Sequence, residues 1–258
     1  MDLTKNKSVI ERWRHPRFFG QVYIDKPDGG SVTLSEEDMR HAKSVLRIKR
    51  GDMVIVCDNC IDYICQFGEA GQFSVIKSVP NTAEPYVNIR LFQCLPKSDK
   101  FNFIVQKAVE LGVSEIVPIT STRCVSRPGP KIGVQKVERW NKIAYEAAKQ
   151  CGRGRVPLVS EILKLKQALL QIKSDELNII FYECGGKRLS DIITKRSASK
   201  THKVVNLFIG SEGGFEIDEI SLAAKHGAIS ATLGKRILRA ETASVAGISV
   251  VMSLLGEI

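Results

Sequence analysis

Two glycine-containing segments hold the residues best suited to binding an organic ligand. They are Ile209–Phe215, with the sequence IGSEGGF, and Leu233–Ala243, with the sequence LGKRILRAETA. Each follows an apolar run typical of a buried strand and precedes a helical pattern, which predicts loops at the carboxyl end of a parallel sheet, where ligands bind in such folds. Glycine permits positive φ and a close approach of the backbone to a ligand. Glu212 suits a ribose hydroxyl or a cationic ligand better than a phosphate, and the alternative is a tight strand–helix turn with a capping carboxylate.

The polar residues at the end of the second segment are poor choices for plain packing. Arg239, Glu241 and Thr242 open a helix that is otherwise apolar. Glu241 and Thr242 also suit a helix N-terminus, so helix capping explains them without a ligand. Arg239 is therefore the candidate for chemistry in this segment.

Several familiar catalytic motifs are absent from the sequence. It has no GxxxxGK[ST] of P-loop proteins, no GxGxxG after a strand, no HExxH and no GxSxG. The seven cysteines include one CxxC, Cys57 and Cys60, and no second pair completes a zinc site, so no metal is expected. Asp58 and Asn59 indicate instead a hairpin turn between two strand cysteines.

The chain is basic, and its charge is uneven. Its 258 residues include 38 Lys and Arg against 28 Asp and Glu, a formal net charge of +10. Residues 1–80 hold 12 basic and 11 acidic residues, whereas residues 121–155 hold nine basic and two acidic ones. This excess favours a nucleic acid partner, although on charge alone a basic enzyme without one fits equally well. Arginine suits phosphate because its planar fork bonds two oxygens. The candidate RNA contacts are Arg12, Arg14, Arg17, Arg123, Arg127, Arg153 and Arg155.

The composition is that of an ordinary soluble protein, with 43% hydrophobic and 26% charged residues, which excludes disorder and a membrane-embedded bundle. The N-terminal residues lack the continuous apolar stretch of a signal peptide. The longest apolar stretch, Val245–Gly256, is shorter than the about 20 residues that span a bilayer. We therefore expect a cytoplasmic protein without a membrane partner.

Residues 1–80 show the pattern of a small β-barrel. Turn residues separate short strands, and Ser35 is the expected N-cap of a helix over Glu36–Leu46. Asn81–Pro85 is predicted to be a linker. Short strands with regular turns predict a barrel. The predicted strands are Val22–Ile24, Met53–Cys57, Ile61–Phe67 and Phe73–Val79.

Residues 81–258 alternate strands with helices, which predicts an α/β domain with a largely parallel sheet. Ser98 is the expected cap of a helix that ends near Gly112. The last helix is apolar nearly all round, so it must be buried in the core or in a subunit interface. The predicted strands are Val87–Leu91, Glu115–Ile119, Leu177–Phe181, Val204–Ile209 and Ile229–Leu233. The other predicted helices are Gln135–Cys151, Glu216–His226 and Ala240–Leu255.

Five ordered segments resemble a known family. Together they are similar to the SPOUT class of RNA methyltransferases, which use S-adenosyl-L-methionine (AdoMet), and within it to the bacterial RsmE family, the 16S rRNA uridine-N3 methyltransferases. The resemblance covers nearly the whole chain, and the one departure is Ser211, where the family usually has proline and a more restrained φ. The segments are Arg14–Phe19, His41–Asp52, Gln106–Arg123, Ala147–Pro157 and the pair IGSEGGF and LGKRILRAETA.

The resemblance implies a fold, a cofactor and partners. It implies a PUA-like β-barrel that binds RNA over residues 1–80 and a SPOUT α/β domain with a trefoil knot over residues 81–258. Three loops would bind AdoMet, with Leu233, Ile237 and Leu238 against the adenine. It further implies a homodimer through the last helix and a 16S rRNA substrate in the small ribosomal subunit. The implied cofactor residues are Tyr182, Glu183, Ile209, Gly210, Ser211, Glu212, Gly213, Gly214, Leu233, Gly234, Ile237, Leu238, Arg239 and Ala240.

Methylation of uridine N3 requires that the N3 proton leaves and that negative charge on O2 or O4 is stabilised. The candidate catalytic arginines are Arg239, at the mouth of the cofactor loops, and Arg14 or Arg17, brought by a partner domain. One alternative is a basic RNA-binding or ribosome-assembly module without catalysis. Another is a hydrolase or ligase with Cys151 or Cys184 as its nucleophile.

Overall fold

The structure is a computed structural model that describes residues 15–26, 29–197 and 203–258. These residues form two compact units. The first contains the described residues up to Glu84 together with Ala148–Val156, and the second contains Pro85–Ala147 and Pro157–Ile258. The first unit is therefore built from two separate stretches of chain.

The first unit is a closed barrel of five strands in the order β1-β2-β5-β4-β3. Strands β1 and β3 pair in parallel, and the other neighbours pair antiparallel. Alternate residues of the strands face inward, and the core includes Phe18, Val54, Val56, Cys65 and Phe73. The strands are β1 (Arg17–Lys26), β2 (Gly29–Leu34), β3 (Met53–Asp58), β4 (Ile61–Phe67) and β5 (Phe73–Pro80).

A short helix interrupts the barrel strands, as the sequence predicts. It is α1 (Glu36–Arg40), and a single π-helical turn over His41–Val45 continues it. Ser35 is its N-cap, because the Ser35 hydroxyl accepts a 3.1 Å hydrogen bond from the Asp38 amide. The hairpin between β3 and β4 turns at Asn59 and Cys60, which both have positive φ. Cys60 therefore lies in the turn, and its prediction as a strand residue is wrong.

Arg17 is a structural residue of the barrel, which corrects its interpretation as an RNA contact or catalytic arginine. Its side chain is 7% exposed and makes a 2.7 Å ion pair with Asp62, which is 1% exposed. The same guanidinium donates to the Arg153 carbonyl at 2.9 Å, and the Asn81 amide also donates to Asp62. A guanidinium buried in this way is not free to bind a phosphate.

We predict that Arg17→Ala lowers the free energy of unfolding by about 3 kcal/mol, because Asp62 would keep its buried charge and lose its cationic partner. Urea denaturation of the full chain measures the effect. The matched control is Arg50→Ala, which removes an arginine from the ion pair with Glu69, whose two side chains are each 73% exposed. There we expect about 0.5 kcal/mol or less. An Arg17→Ala protein as stable as the control would contradict the structural role.

The stretch Ala148–Val156 packs with the barrel through a second buried arginine. Arg153 is 4% exposed and binds Glu84 with two 2.8 Å hydrogen bonds. Burial alone would raise the pKa of Glu84, but the bonds from Arg153 and from the Gly154 and Arg155 amides outweigh it and hold this pKa below its ordinary value. The prediction of Arg153 as an RNA contact is therefore wrong, whereas Arg155 is exposed.

The predicted linker is tied to this network. Asn81 donates to the Gly152 carbonyl at 3.0 Å, and Glu84 accepts from Arg153. The segment therefore holds fixed hydrogen bonds within the first unit, and its description as a plain linker is corrected.

The second unit contains an eight-stranded sheet in the order β11-β13-β10-β12-β6-β7-β8, with β9 also paired to β7. All its pairings within this unit are parallel. The central strands are mostly apolar and buried, as expected of a sheet covered by helices on each side. The strands are β6 (Asn88–Cys94), β7 (Glu115–Thr120), β8 (Leu158–Val159), β9 (Leu163–Lys164), β10 (Leu177–Phe181), β11 (Lys187–Arg188), β12 (Val204–Ile209) and β13 (Ile229–Thr232).

Two helix starts differ from the predictions. Helix α2 begins at Lys100 after Asp99, and Ser98 has a φ of 59°, which is incompatible with the predicted cap. Helix α3 begins at Pro130 rather than Gln135, since proline is well tolerated at the first helical position. The helices that begin in the second unit are α2 (Lys100–Glu110), α3 (Pro130–Gln150), α4 (Leu165–Leu169), α5 (Leu189–Ser197), α6 (Ile217–Lys225) and α7 (Ala240–Leu254).

Helix α7 packs one face into the second unit and leaves apolar side chains on the other. Ile248, Val251 and Met252 are buried. Val250 is 42% exposed and Leu254 is 40% exposed. One face of this helix is therefore buried in the core, as the sequence predicts. The other face is not covered by the described residues of this unit.

The predicted fold class, an N-terminal β-barrel followed by an α/β domain with a parallel sheet, is confirmed. The trefoil knot and the domain boundary between residues 80 and 81 stay predictions. None of the helices in the described ranges is long and apolar enough to cross a bilayer.

Candidate active site

Three loops at the carboxyl ends of neighbouring strands enclose a cleft in the second unit. They follow β10, β12 and β13, which lie side by side in the order β13-β10-β12. This is where a parallel sheet presents backbone groups to a ligand. The cleft is lined by Phe181, Tyr182, Glu183, Ile209, Gly210, Ser211, Gly214, Thr232, Leu233, Gly234, Arg236, Ile237, Leu238, Ala240 and Ala243.

Most of the residues proposed for a cofactor meet in this cleft. Glu212, Gly213 and Arg239 do not line it. Residues that the sequence analysis missed do line it, namely Phe181, Thr232, Arg236 and Ala243. Phe181 and Thr232 adjoin the predicted loops, whereas Arg236 and Ala243 lie within the segment LGKRILRAETA and were not named as cofactor residues.

Gly214 is the tightest point of the cleft wall. Its φ is +65°, and a Cβ placed on it would come within 2.1 Å of a Glu183 carboxylate oxygen. Its amide donates to the Ser211 carbonyl at 3.0 Å, which closes the turn. Any side chain at this position would therefore strain the backbone and displace Glu183. Gly234 also has a positive φ, +108°, but its Cβ would meet nothing within 4 Å.

Beneath the cleft lies a buried glutamine that the sequence analysis missed. The Gln93 amide donates to the Gly210 carbonyl at 3.3 Å, and its oxygen accepts a 2.6 Å hydrogen bond from Ser244. Ser244 also donates to the Ala240 carbonyl. Gln93 therefore links the loop after β12 to the first turn of α7. The signal for it was a glutamine inside the apolar run LFQC of β6.

Glu212 points away from the cleft, toward the start of α2. It accepts hydrogen bonds from the Lys97 amide at 3.2 Å and from Lys100 Nζ at 3.0 Å. Burial alone would raise the pKa of Glu212. Hydrogen bonds from its own backbone amide and from Lys100 have the larger, opposite effect, so this pKa lies below its ordinary value. Lys100 also lies 3.3 Å from Glu241. Glu212 therefore anchors the loop, and its suggested contact with a ribose is not supported by its position.

Arg123 anchors the same loop from its other side. Its guanidinium binds both carboxylate oxygens of Glu216, at 2.9 and 3.0 Å, and donates to the Gly213 carbonyl at 3.1 Å. Arg127 donates to the backbone carbonyls of Ser121 and Cys124. Both arginines have exposed atoms, but their hydrogen bonds give them a structural role that the prediction of RNA contact did not include.

Arg239 is the N-cap residue of α7 and is exposed. No hydrogen bond or ion pair of its side chain is found within the described ranges, and it stands directly before Ala240, which lines the cleft. It is therefore available to a ligand that approaches the mouth of the cleft. Arg12 and Arg14 lie outside the described residues.

The cleft combines groups that suit a nucleoside-like ligand. Backbone amides and carbonyls of three loops converge on it, Glu183 supplies a carboxylate, and Leu233, Ile237 and Leu238 supply apolar surface. Ile237 is 86% exposed, so this surface is uncovered. The cleft is open to solvent, and its volume of about 80 Å³ is below the roughly 300 Å³ or more of ordinary ligand sites. A larger ligand would therefore extend beyond the cleft.

A larger groove, of about 1320 Å³, lies between the first turns of α3, the β9–α4 segment and α6. Its lining is mixed in charge: Arg127, Lys164, Lys166 and Lys225 stand against Glu138, Glu161, Asp218 and Glu219. It does not include the loops after β10 or β13. Size alone does not make it the reaction site, because the convergent strand ends and glycine turns lie elsewhere.

The two thiols proposed as nucleophiles differ in their surroundings. Cys151 donates to the Ala148 carbonyl at 3.9 Å, and Cys184 is exposed beside Tyr182. Among the described residues, Cys184 forms no hydrogen bond to a histidine, so a cysteine hydrolase built on Cys184 would lack the base that it needs. Among the described residues, no three His, Cys, Asp or Glu side chains are grouped to hold a metal ion.

Comparison with known proteins shows similarity to RNA methyltransferases. Residues 82–252 match the model of the RNA methyltransferase domain family. The chain is 29% identical over 228 residues to the ribosomal RNA small subunit methyltransferase E of Bacillus subtilis, covering 86% of this chain and 89% of that protein. It is 30% identical to the protein of that name from Mesomycoplasma hyopneumoniae, covering 87% and 95%.

A solved structure matches as well. It is a ribosomal RNA small subunit methyltransferase E from Neisseria gonorrhoeae bound to S-adenosyl methionine, with a TM-score of 0.80 and 29% identity, covering 93% of this chain and 98% of that one. The match extends over both units described above.

Proposed function

The chain belongs to the ribosomal RNA small subunit methyltransferase E family, and from this premise we propose that it methylates N3 of a specific uridine in 16S rRNA with AdoMet as methyl donor. The observation that carries the proposal is the cleft at the carboxyl ends of β10, β12 and β13, formed by the segments IGSEGGF and LGKRILRAETA. A relative with a similar fold binds S-adenosyl methionine.

The residues of the cleft fit AdoMet. The backbone groups after β12 and β13 supply donors and acceptors for an adenine edge, and the side chains of Leu233, Ile237 and Leu238, of which Ile237 is exposed, supply a face for the ring. Glu183 provides a carboxylate for ribose hydroxyls or for the positive charge of the ligand. When bound, AdoMet supplies an electrophilic methyl group on a sulfonium.

Arg239 is the residue that we assign to the charge that develops on the uracil. The proton on N3 must leave for the nitrogen lone pair to attack, and the resulting charge is shared by O2 and O4. A guanidinium held at the start of α7 and free of carboxylates in the described structure can donate hydrogen bonds to such an oxygen. Arg14, outside the described residues, is a second candidate.

The alternative is a basic RNA-binding or ribosome-assembly module without catalysis. Purified protein, AdoMet labelled on the methyl group and 30S subunits from cells that lack the gene separate the two. We expect label in 16S rRNA. Binding of the subunits without transfer of label, at saturating AdoMet, would favour the module and overturn the enzyme.

The protein is proposed to act as a homodimer in the cytoplasm, joined through the second unit. Exposed apolar side chains on and near α7, namely Val250, Leu254, Phe103 and Ile258, support a covered face there. The barrel is proposed to contact RNA, with Arg155, Arg12 and Arg14 as its candidate cations.

We predict that Leu254→Glu combined with Val250→Glu converts the dimer to a monomer, because burying two carboxylates in an apolar interface is unfavourable. Light scattering at micromolar concentration measures the mass. The control is Ile132→Glu, which adds a charge at an exposed isoleucine of α3 and is expected to leave the dimer intact. An unmodified protein that is already a monomer would refute the dimer.

A further inference from the structure

Four cations stand together along one edge of the second unit. Lys187 and Arg188 form β11, the strand at the end of the sheet, and Lys235 and Arg236 lie in the loop after β13. Strand β11 pairs with β13 so that Lys187 is opposite Ala231 and Arg188 is opposite Thr232. All four side chains are exposed, and we call them the cation rim.

The turn that follows Thr232 brings the two halves of the rim together. The Thr232 hydroxyl accepts from the Gly234 amide and donates to the Gly234 carbonyl, both at 3.2 Å. The chain therefore turns directly beyond the residue opposite Arg188, and Lys235 follows the turn. Arg236 also lines the cleft, so the rim is continuous with the proposed reaction site.

The four rim residues differ from the arginines that the sequence singled out. Arg17 and Arg153 are buried against carboxylates, and Arg123 binds Glu216. In the described structure, no rim residue forms an ion pair or a hydrogen bond through its side chain. The acidic residues nearest to the rim in the chain, Glu183 and Asp191, are not bonded to it either.

The position of the rim beside the cleft indicates which anion it binds. A uridine that reaches the cleft brings its own phosphates and those of its neighbours to the surface around the cleft mouth. Unpaired cations at that surface neutralise phosphates and release counterions, which is the main source of affinity for a nucleic acid backbone. The lysines of the large groove share their surface with four carboxylates.

We infer that the cation rim binds the phosphates that flank the target nucleotide in the RNA substrate. This inference rests on the proposed function and adds to it the surface of the second unit that holds the RNA. The rim contributes to RNA affinity and to its salt dependence, and it contributes nothing to AdoMet affinity except through Arg236.

The test neutralises three rim cations that do not line the cleft, in Lys187→Gln/Arg188→Gln/Lys235→Gln. The matched control removes the same charge elsewhere on the second unit, in Lys164→Gln/Lys166→Gln/Lys173→Gln, whose side chains are also exposed. The probe is the 30S subunit from cells that lack the gene. We measure KM and kcat for methyl transfer, the salt dependence of binding, and AdoMet affinity by calorimetry.

For the rim variant we expect KM for the subunit to rise about tenfold or more, and the slope of log affinity against log salt to fall by about two. We expect kcat and AdoMet affinity within about twofold of wild type, and the control variant unchanged in all four quantities. A rim variant with wild-type KM and salt slope overturns the inference. A wild-type protein that transfers no methyl group overturns the proposed function instead, so the two failures are distinct.

Discussion

Replacement of Gly214 by alanine is expected to weaken AdoMet binding about a hundredfold. The left-handed φ of +65° is unfavourable for any other residue, and the new Cβ would displace the Glu183 carboxylate from the cleft wall. Loss of a hydrogen bond between the ligand and this carboxylate costs roughly 1.5–3 kcal/mol, and about 3 kcal/mol corresponds to a factor of about a hundred in affinity. Isothermal calorimetry on the full chain gives the affinity directly.

The matched control is Gly227→Ala. Gly227 also has a positive φ, +84°, but it follows α6 and its Cβ would meet nothing within 4 Å. It should therefore show the same backbone strain in a denaturation experiment and bind AdoMet as the wild type does. Equal AdoMet affinities in the two variants would remove Gly214 from the proposed site.

Replacement of Arg239 by alanine is expected to lower kcat for methyl transfer by a factor of about 100 to 1000, the usual effect of removing one donor to a developing oxyanion. Arg239 does not line the cleft, so AdoMet affinity should stay unchanged. KM for the 30S subunit should change little, which separates this residue from the cation rim.

Two further variants complete that experiment. Arg239→Lys keeps the charge without the planar fork and should recover part of kcat. Arg139→Ala removes an exposed arginine of α3, whose nearest carboxylate, that of Asp99, is 3.8 Å away, and should leave kcat unchanged. If the Arg239→Ala protein has the wild-type kcat, the assignment of Arg239 is wrong, and another residue stabilises the charge on the uracil.

The sequence predicts the barrel and the parallel sheet well because both depend on local patterns. Short strands that alternate with turns are typical of a small barrel. Continuous apolar runs such as Val204–Ile209 are typical of strands buried on both faces. The positions of the cofactor segments follow from the same logic, since Gly210 directly follows β12 and Gly234 comes two residues after the end of β13. Helix starts were less predictable: Ser98 has a suitable side chain and an unsuitable backbone conformation.

The roles of the arginines could not be derived from the sequence. Asp62 is 45 residues from Arg17, and Glu84 is 69 residues from Arg153. A count of charges in neighbouring residues does not show either pairing, so both arginines were predicted to bind an external anion. Gln93 was missed for a related reason, because its partners, Gly210 and Ser244, come from segments more than 100 residues away.

The central claim is that the product of the reaction is 3-methyluridine in 16S rRNA. The most direct test is mass spectrometry of nucleosides from 16S rRNA of cells with and without the gene, with the site mapped on nuclease fragments. The account predicts that one 3-methyluridine disappears on deletion, returns with the wild-type gene and does not return with Arg239→Ala. A 3-methyluridine that survives the deletion, or the loss of a differently methylated nucleoside in its place, would contradict it.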